Sequence, residues 1–441
     1  MAKTGPRFHE IDMLKGLACV LMLIGHTVRS RMPAPELAGK LILHVMDFSA
    51  PIFFFVSGMN VVTFVENNRN KAGFQTVKFY LSAAAVLFAL GFTYNINRGS
   101  WGMMDIFQCV ACGTVFTFLL MRTRLPMWAH WLIAGAVFLV PELGFRLRIE
   151  SAPELAEFRH LRALIPLSSD LLHPGLREAL MALSAQTPRL VRWLTFQYGP
   201  LPWVDLFYVG ALCYRSVAVR KNKSWPWWAF FAVLLVGGPF AWFHTMMAGT
   251  GRSFFGALLL PTLFDMMLRG FPSYVLSTTG IAGLLYLASR ALYRGAVNYR
   301  RPAARWVAGQ LENSGKESFL FLILHWFLIS TTLLFGHLGP AGVMINPYLR
   351  AAIVLGLTLL LVPPLARWRD RLSARPHFVG GALAFMAASL AFAMMLGGAA
   401  KTAELFFYGS YGASLAFAFV YPTIRVRLRQ RCTSPATAAT A

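Results

Sequence analysis

Apolar residues run along the chain in blocks of about membrane length, separated by short polar or basic stretches. A bilayer core needs about 20 consecutive, mainly apolar residues from a crossing helix. Spans are expected near 11–29, 41–65, 77–96, 104–121, 127–144, 199–217, 226–246, 272–292, 317–336, 349–367, 378–397 and 404–425. The pattern predicts an all-α fold, a polytopic integral membrane bundle of about twelve (10–12) transmembrane helices. One membrane domain then occupies 1–425, with 145–198 inserted as an external loop or cap and 426–441 as a flexible cytoplasmic tail. The stretches ELAEFRHLRALI and GLREALMALSA in the insertion suit short helices at the bilayer surface or over a cavity, and a solvated connection fits them equally.

Composition agrees with that reading. Of the 441 residues, 57% are hydrophobic and 13% charged, and mean hydropathy is +0.55. The net charge of +23 would suit a nucleic-acid binder if it formed one basic face, but Lys and Arg sit in short clusters between apolar blocks. Arg122/Arg124, Arg215/Arg220/Lys221/Lys223, Arg290–Arg305, Arg367–Arg375 and Arg425–Arg431 all fall on one side of a twelve-span bundle, which makes that side, and both termini, cytoplasmic. The first span resembles a secretory signal in its basic flank. Asp12 and Lys15 interrupt it and no small-residue cleavage site follows, so a retained helix is expected. Five cysteines without framework spacing exclude a disulfide scaffold. Cys109 and Cys112 form a CxxC inside an apolar span, where core packing is the better reading, and no His/Cys/Asp set has the spacing of a metal site.

Ionisable groups within membrane-length helices are costly and mark functional sites by default. Lys15 and His26 stand eleven residues apart in the first span, about 16 Å of rise and within roughly 20° of the same helical face. With this topology His26 lies near the external end, together with His44 and Asp47 on the second span, Asp105, Gln108, Glu142, Asp205 and His244. Histidine beside carboxylate is what removing a proton from a hydroxyl or amine requires. Pro51 follows His44 and Asp47 at a point where a helix would begin or kink. His325 falls near mid-bilayer in the ninth span, where it either lines a ligand tunnel or is a packed, hydrogen-bonded structural residue.

The segment EIDMLKGLACVLMLIGHT resembles the first helix of polytopic membrane acyltransferases, with the basic-to-histidine spacing of the acyltransferase-3 family, and DFSAPIFFFVSG resembles the second. DIFQCVACG, PLPWVDLFYVGAL, RGFPSYVLSTTG and SGKESFLFLILHWFLI follow in an order similar to the bacterial DUF1624 group, related to heparan-alpha-glucosaminide N-acetyltransferase. The resemblance covers about 10–325. It implies an enzyme of the inner membrane that takes an acyl group, acetyl being the simplest, from cytoplasmic acyl-CoA. The acceptor is a hydroxyl or amine on a glycan or small molecule at the external side.

On that reading His26, Asp47 and His44 are catalytic, while Lys15, Lys78 and His325 contact acyl-CoA, with the basic loop 290–316 adding to its mouth. Lys15 stands where Arg is commoner, and Phe271 with a single Pro272 stands where Tyr-Pro-Pro is common. A Lys binds phosphate as a point charge, without the bidentate fork of Arg. Membrane lipid is the other expected partner. A proton-coupled secondary transporter also accommodates twelve spans and buried ionisable groups, although no internal repeat is evident. A noncatalytic scaffold leaves Lys15, His26 and His325 unexplained.

Overall fold

The computed structural model describes residues 9–29, 45–46, 48–69, 73–97, 104–123, 125–137, 203–250, 272–296, 302–338, 346–396 and 403–433. These are helical, joined by short turns, with no strand among the described residues. In chain order the helices are α1 (His9–Arg29), α2 (Ser49–Asn67), α3 (Gly73–Asn97), α4 (Ile106–Arg122) and α5 (Met127–Val137). They continue as α6 (Val204–Tyr214), α7 (Trp225–Thr250), α8 (Pro272–Ala296), α9 (Pro302–Lys316), α10 (Ser318–Leu338), α11 (Pro347–Ser373), α12 (Phe378–Leu396) and α13 (Ala403–Thr433). Five of them hold stretches long and apolar enough to cross a membrane: His9–Val28, Ser49–Asn67, Gly73–Thr93, Val275–Tyr293 and Pro347–Ser373. The chain is an all-α integral membrane protein. Large apolar side chains exposed on its helices, among them Leu360, Phe385, Phe392 and Met395, suit contact with lipid tails.

Three expectations change in detail. The basic stretch 290–316 is not a loop: α8 runs to Ala296, and Pro302–Lys316 forms α9, with Pro302 at its first position, where a missing N–H costs nothing. The second span starts at Ser49 with Pro51 in its first turn. At the far end α13 continues to Thr433, so part of the expected tail is helical. The cap 145–198 and the residues Glu142, His44 and Asp47 lie outside the described residues.

The chain divides into two compact units. One comprises 1–50, 68–102 and 289–441; the other 51–67 and 103–288. In the first, α1 is the central helix and packs on α9, α10 and α11, while α13 packs on α3, α10 and α12. At the α1–α9 crossing the backbones touch: a methyl group on Gly16 would run into the carbonyl oxygen of Leu311, and one on Gly315 into that of Asp12. Glycine at both positions is what lets the two helices meet so closely. Asn346 starts α11 by accepting from the amides of Tyr348 (2.8 Å) and Leu349 (3.4 Å), ahead of Pro347 at the first turn.

In the second unit, α2 and α6 make a reciprocal contact of the same kind. Gly58 faces the backbone of Phe207 and Gly210 that of Phe55. Phe54, Trp203 and Phe207 fill the space beside it. Helix α4 begins with a capping box: Asp105 caps its first turn (Oδ1 to the Ile106 amide, 2.7 Å) and the Gln108 side chain takes the Asp105 amide at 3.0 Å. Their polarity is thereby accounted for by the start of a helix, without invoking acid–base chemistry.

Candidate functional site

Within the first unit, α1 and α10 bring His26 and His325 together. His26 Nδ1 lies 3.0 Å from His325 Nε2, the rings are nearly parallel (9°) with centroids 5.4 Å apart, and the Trp326 indole leans on His26 at 4.4 Å. The remaining nitrogen of His325, Nδ1, lies 3.0 Å from the carbonyl oxygen of Phe321 in the preceding turn. A carbonyl accepts only, so His325 Nδ1 carries its hydrogen and Nε2 presents a lone pair. His26 Nδ1–H then donates to that lone pair, which places the basic nitrogen of neutral His26 at Nε2. Two hydrogen bonds therefore fix the tautomers of both rings. His325 is fully buried and His26 partly so. The residue read as an acyl-CoA contact is thus hydrogen-bonded to the residue read as the base.

Lys15, about three turns back along α1, is partly buried and paired with Asp12 at 2.8 Å. Around it the α1–α9 crossing carries a mixed-charge network. His9 bonds Glu312 (2.8 Å) and stacks on Tyr293 (5.2 Å between centroids), Lys316 pairs with Glu312, and Arg290 reaches Glu10 at 3.7 Å. Burial pushes the Glu312 carboxyl up, but hydrogen bonds and charge from Lys316 and His9 outweigh it and hold it below the usual carboxylate range. Arg369 on α11 grips Glu317 with two nitrogens, at 2.6 and 3.2 Å, the bidentate geometry only Arg provides. Much of the positive charge at this end of the unit is therefore matched by carboxylates. Lys78 lies exposed on α3, a helix that packs chiefly on α13, and is not drawn into this cluster.

The second unit holds polar groups of its own. Asp205 is fully buried on α6, with Thr279 Oγ1 3.5 Å from its Oδ2. His130, which stood out in no sequence pattern, is buried on α5 and pairs with the Tyr208 hydroxyl at 2.6 Å. Cys109 and Cys112 are free thiols, the first buried and the second partly so, as expected of packing. No group of His, Cys, Asp and Glu able to hold a metal occurs among the described residues.

Membrane-length helices with a largely buried imidazole pair between two of them define the class: an integral membrane protein with polar groups held among its helices. The chain matches the family model for heparan-alpha-glucosaminide N-acetyltransferase, catalytic, over residues 7–241, and it belongs to that family. It is accordingly a membrane acetyltransferase. A search of curated proteins gives no match. The matched region contains Lys15, His26, His44, Asp47 and Lys78, whereas His325 lies beyond it.

Proposed function

We propose that the enzyme transfers an acetyl group from acetyl-CoA, taken from the cytoplasmic side, to an amine or hydroxyl of a carbohydrate or related acceptor on the opposite side, with His26 as general base. The observation that carries this reading is the hydrogen bond of His26 Nδ1 to His325 Nε2. It aims the lone pair at Nε2 and provides a partner for the positive charge that appears when that nitrogen takes a proton. As the acceptor attacks the thioester carbonyl, its proton passes to His26 Nε2. The new C–N or C–O bond forms, the C–S bond breaks, and the thiolate recovers the proton as CoA-SH. His325 acts as a positioning residue. Asp47 and His44, close in sequence to the start of α2, remain proposed members of the site.

Lys15, Lys78 and α9 are proposed for the phosphates of CoA. The Lys15 ammonium has three N–H donors, so its bond to Asp12 does not exhaust it. A cytoplasmic placement of both termini rests on the distribution of Arg and Lys between the spans, and location in a bacterial inner membrane on the resemblance to the bacterial group.

Purified protein in nanodiscs, given acetyl-CoA labelled in the acetyl group and a panel of amino sugars and hydroxyl acceptors, tests the proposal. Labelled product together with free CoA is expected. Uptake of a substrate into proteoliposomes with no acetyl-CoA consumed would instead establish a transporter. Incubation without acceptor distinguishes direct transfer, in which no label stays on the protein, from an acetyl-histidine relay.

A further inference from the structure

The second unit carries cations that its sequence does little to balance. Residues 106–141 and 206–264 contain no Asp or Glu, yet they include Arg122, Arg124, Arg215, Arg220, Lys221 and Lys223. Arg215 is held by Glu66 of α2 at 3.5 Å and by Met121 Sδ of α4 at 4.0 Å. Arg220, Lys221 and Lys223, in the turn that follows, are exposed. The first unit differs, because its Lys15, Arg290, Lys316 and Arg369 each face a carboxylate.

A bias of Arg and Lys toward one side of a membrane accounts for cations beside spans, but not for the way this turn is built. Helix α6 runs into a π turn over Arg215–Val219, a distortion that helices often carry at functional sites. The Arg220 amide donates to the Arg215 carbonyl (2.9 Å) and the Asn222 amide to that of Ser216 (3.1 Å). This closes the helix with Lys221 in the left-handed region, at φ 55°. Glycine or asparagine usually takes such a position, and a lysine there bears a backbone cost. Ser216 Oγ accepts from Asn222 Nδ2 (3.3 Å) and Trp227 Nε1 (3.1 Å), which pins the turn to the start of α7. Trp227 in turn meets Trp131 of α5, with 5.1 Å between ring centroids.

The exposed large side chains that lead away from the turn change character in a fixed order. Along α7 they run Lys223, Trp225, Trp228, Val233 and Val236. On α5 Trp128 precedes Leu132, and α4 exposes Leu119 before it reaches Arg122. Cation, indole, then aliphatic side chain is the order that complements a lipid, from phosphate through the interface to the tails. A soluble anion would match the cations and leave the indoles and aliphatic groups without a partner. We propose that Arg220, Lys221 and Lys223, framed by Trp128, Trp225 and Trp228, form a docking surface for the headgroups of anionic glycerophospholipids. The contact is ionic and non-covalent, and it does not depend on acetyl transfer.

Thermal unfolding of the full chain in an uncharged detergent tests it, with phosphatidylglycerol, phosphatidylethanolamine or inorganic pyrophosphate added. Phosphatidylglycerol should raise the unfolding temperature with a midpoint at least about tenfold lower in concentration than phosphatidylethanolamine. Replacing Arg220, Lys221 and Lys223 together by Gln should raise that midpoint at least about tenfold. The same replacement of Arg367, Arg371 and Arg375, three exposed cations at the end of α11, should leave it unchanged. Lys221→Gly relieves the left-handed backbone while it removes one charge. Its unfolding temperature without lipid should therefore not fall, while its phosphatidylglycerol midpoint rises about fivefold. Equal midpoints for the two lipids overturn the proposal, and so do equal losses in the two triple variants. Pyrophosphate acting at the concentrations at which phosphatidylglycerol does would assign the cations to soluble phosphate and overturn it as well.

Discussion

At the residue scale the imidazole pair makes unequal demands on its members. Losing the base should lower kcat by about 10²–10⁴-fold in His26→Ala, with acetyl-CoA binding retained in a thermal-shift assay. His325→Ala keeps the base but removes one strong hydrogen bond to it. A smaller loss in kcat, roughly ten- to hundredfold, is expected, again with little change in acetyl-CoA affinity. If His325 contacts acetyl-CoA instead, the donor KM of that variant rises while kcat holds. His26 and His325 were both visible in the sequence as ionisable residues within apolar spans, because such residues are expensive there. Their pairing was not, since 299 positions separate them and no helical periodicity links α1 to α10. His130 was missed for a related reason: it stands between Trp128 and Trp131 near the start of α5, where an interfacial histidine is ordinary, and only its contact with Tyr208 distinguishes it.

At the scale of elements, the α1–α9 crossing depends on the absence of side chains. A Gly16→Ala substitution puts a methyl group into the Leu311 carbonyl and should cost about 1–3 kcal/mol, measured as a lower unfolding temperature in detergent. The same crossing has a pH signature. The folded Glu312 carboxyl titrates below its unfolded value, so its stabilising contribution is complete above the ordinary carboxylate range. That contribution disappears as pH falls through the lower, folded value. The difference in unfolding temperature between wild type and Glu312→Gln should accordingly be constant near neutrality and shrink on acidification. A difference that grows on acidification would contradict this assignment. Most of the apolar helices were legible from block length alone. Helix α9 was not: its mixed Arg, Gln, Glu and Ser positions average to a polar stretch, and its helicity is supported by packing on α1 rather than by a long apolar face.

At the scale of the whole molecule, the proposed membrane sidedness rests on how Arg and Lys are distributed between spans. Helix α11 offers a direct check, because Asn346 and Arg375 flank its ends and both are exposed. In a cysteine-free background, an impermeant thiol reagent added outside spheroplasts should label Asn346→Cys and leave Arg375→Cys untouched until the membrane is opened. The reverse pattern would invert the orientation. The family match spans α1 to most of α7, and the later helices, including the one that carries His325, lie beyond it. The resemblance read from the segments ran on to about 325, beyond the matched residues.

That His26 and His325 come from opposite ends of the chain has a consequence for biogenesis. His26 lies on α1 and its partner on α10, so the partner is translated 299 residues later. A nascent chain stalled anywhere before α10 carries half of the pair, and so does any fragment ending with the matched segment. If His325 positions the base as proposed, full acetyl transfer awaits the late helices, and a chain that ends before α10 keeps at most the reduced rate expected of His325→Ala.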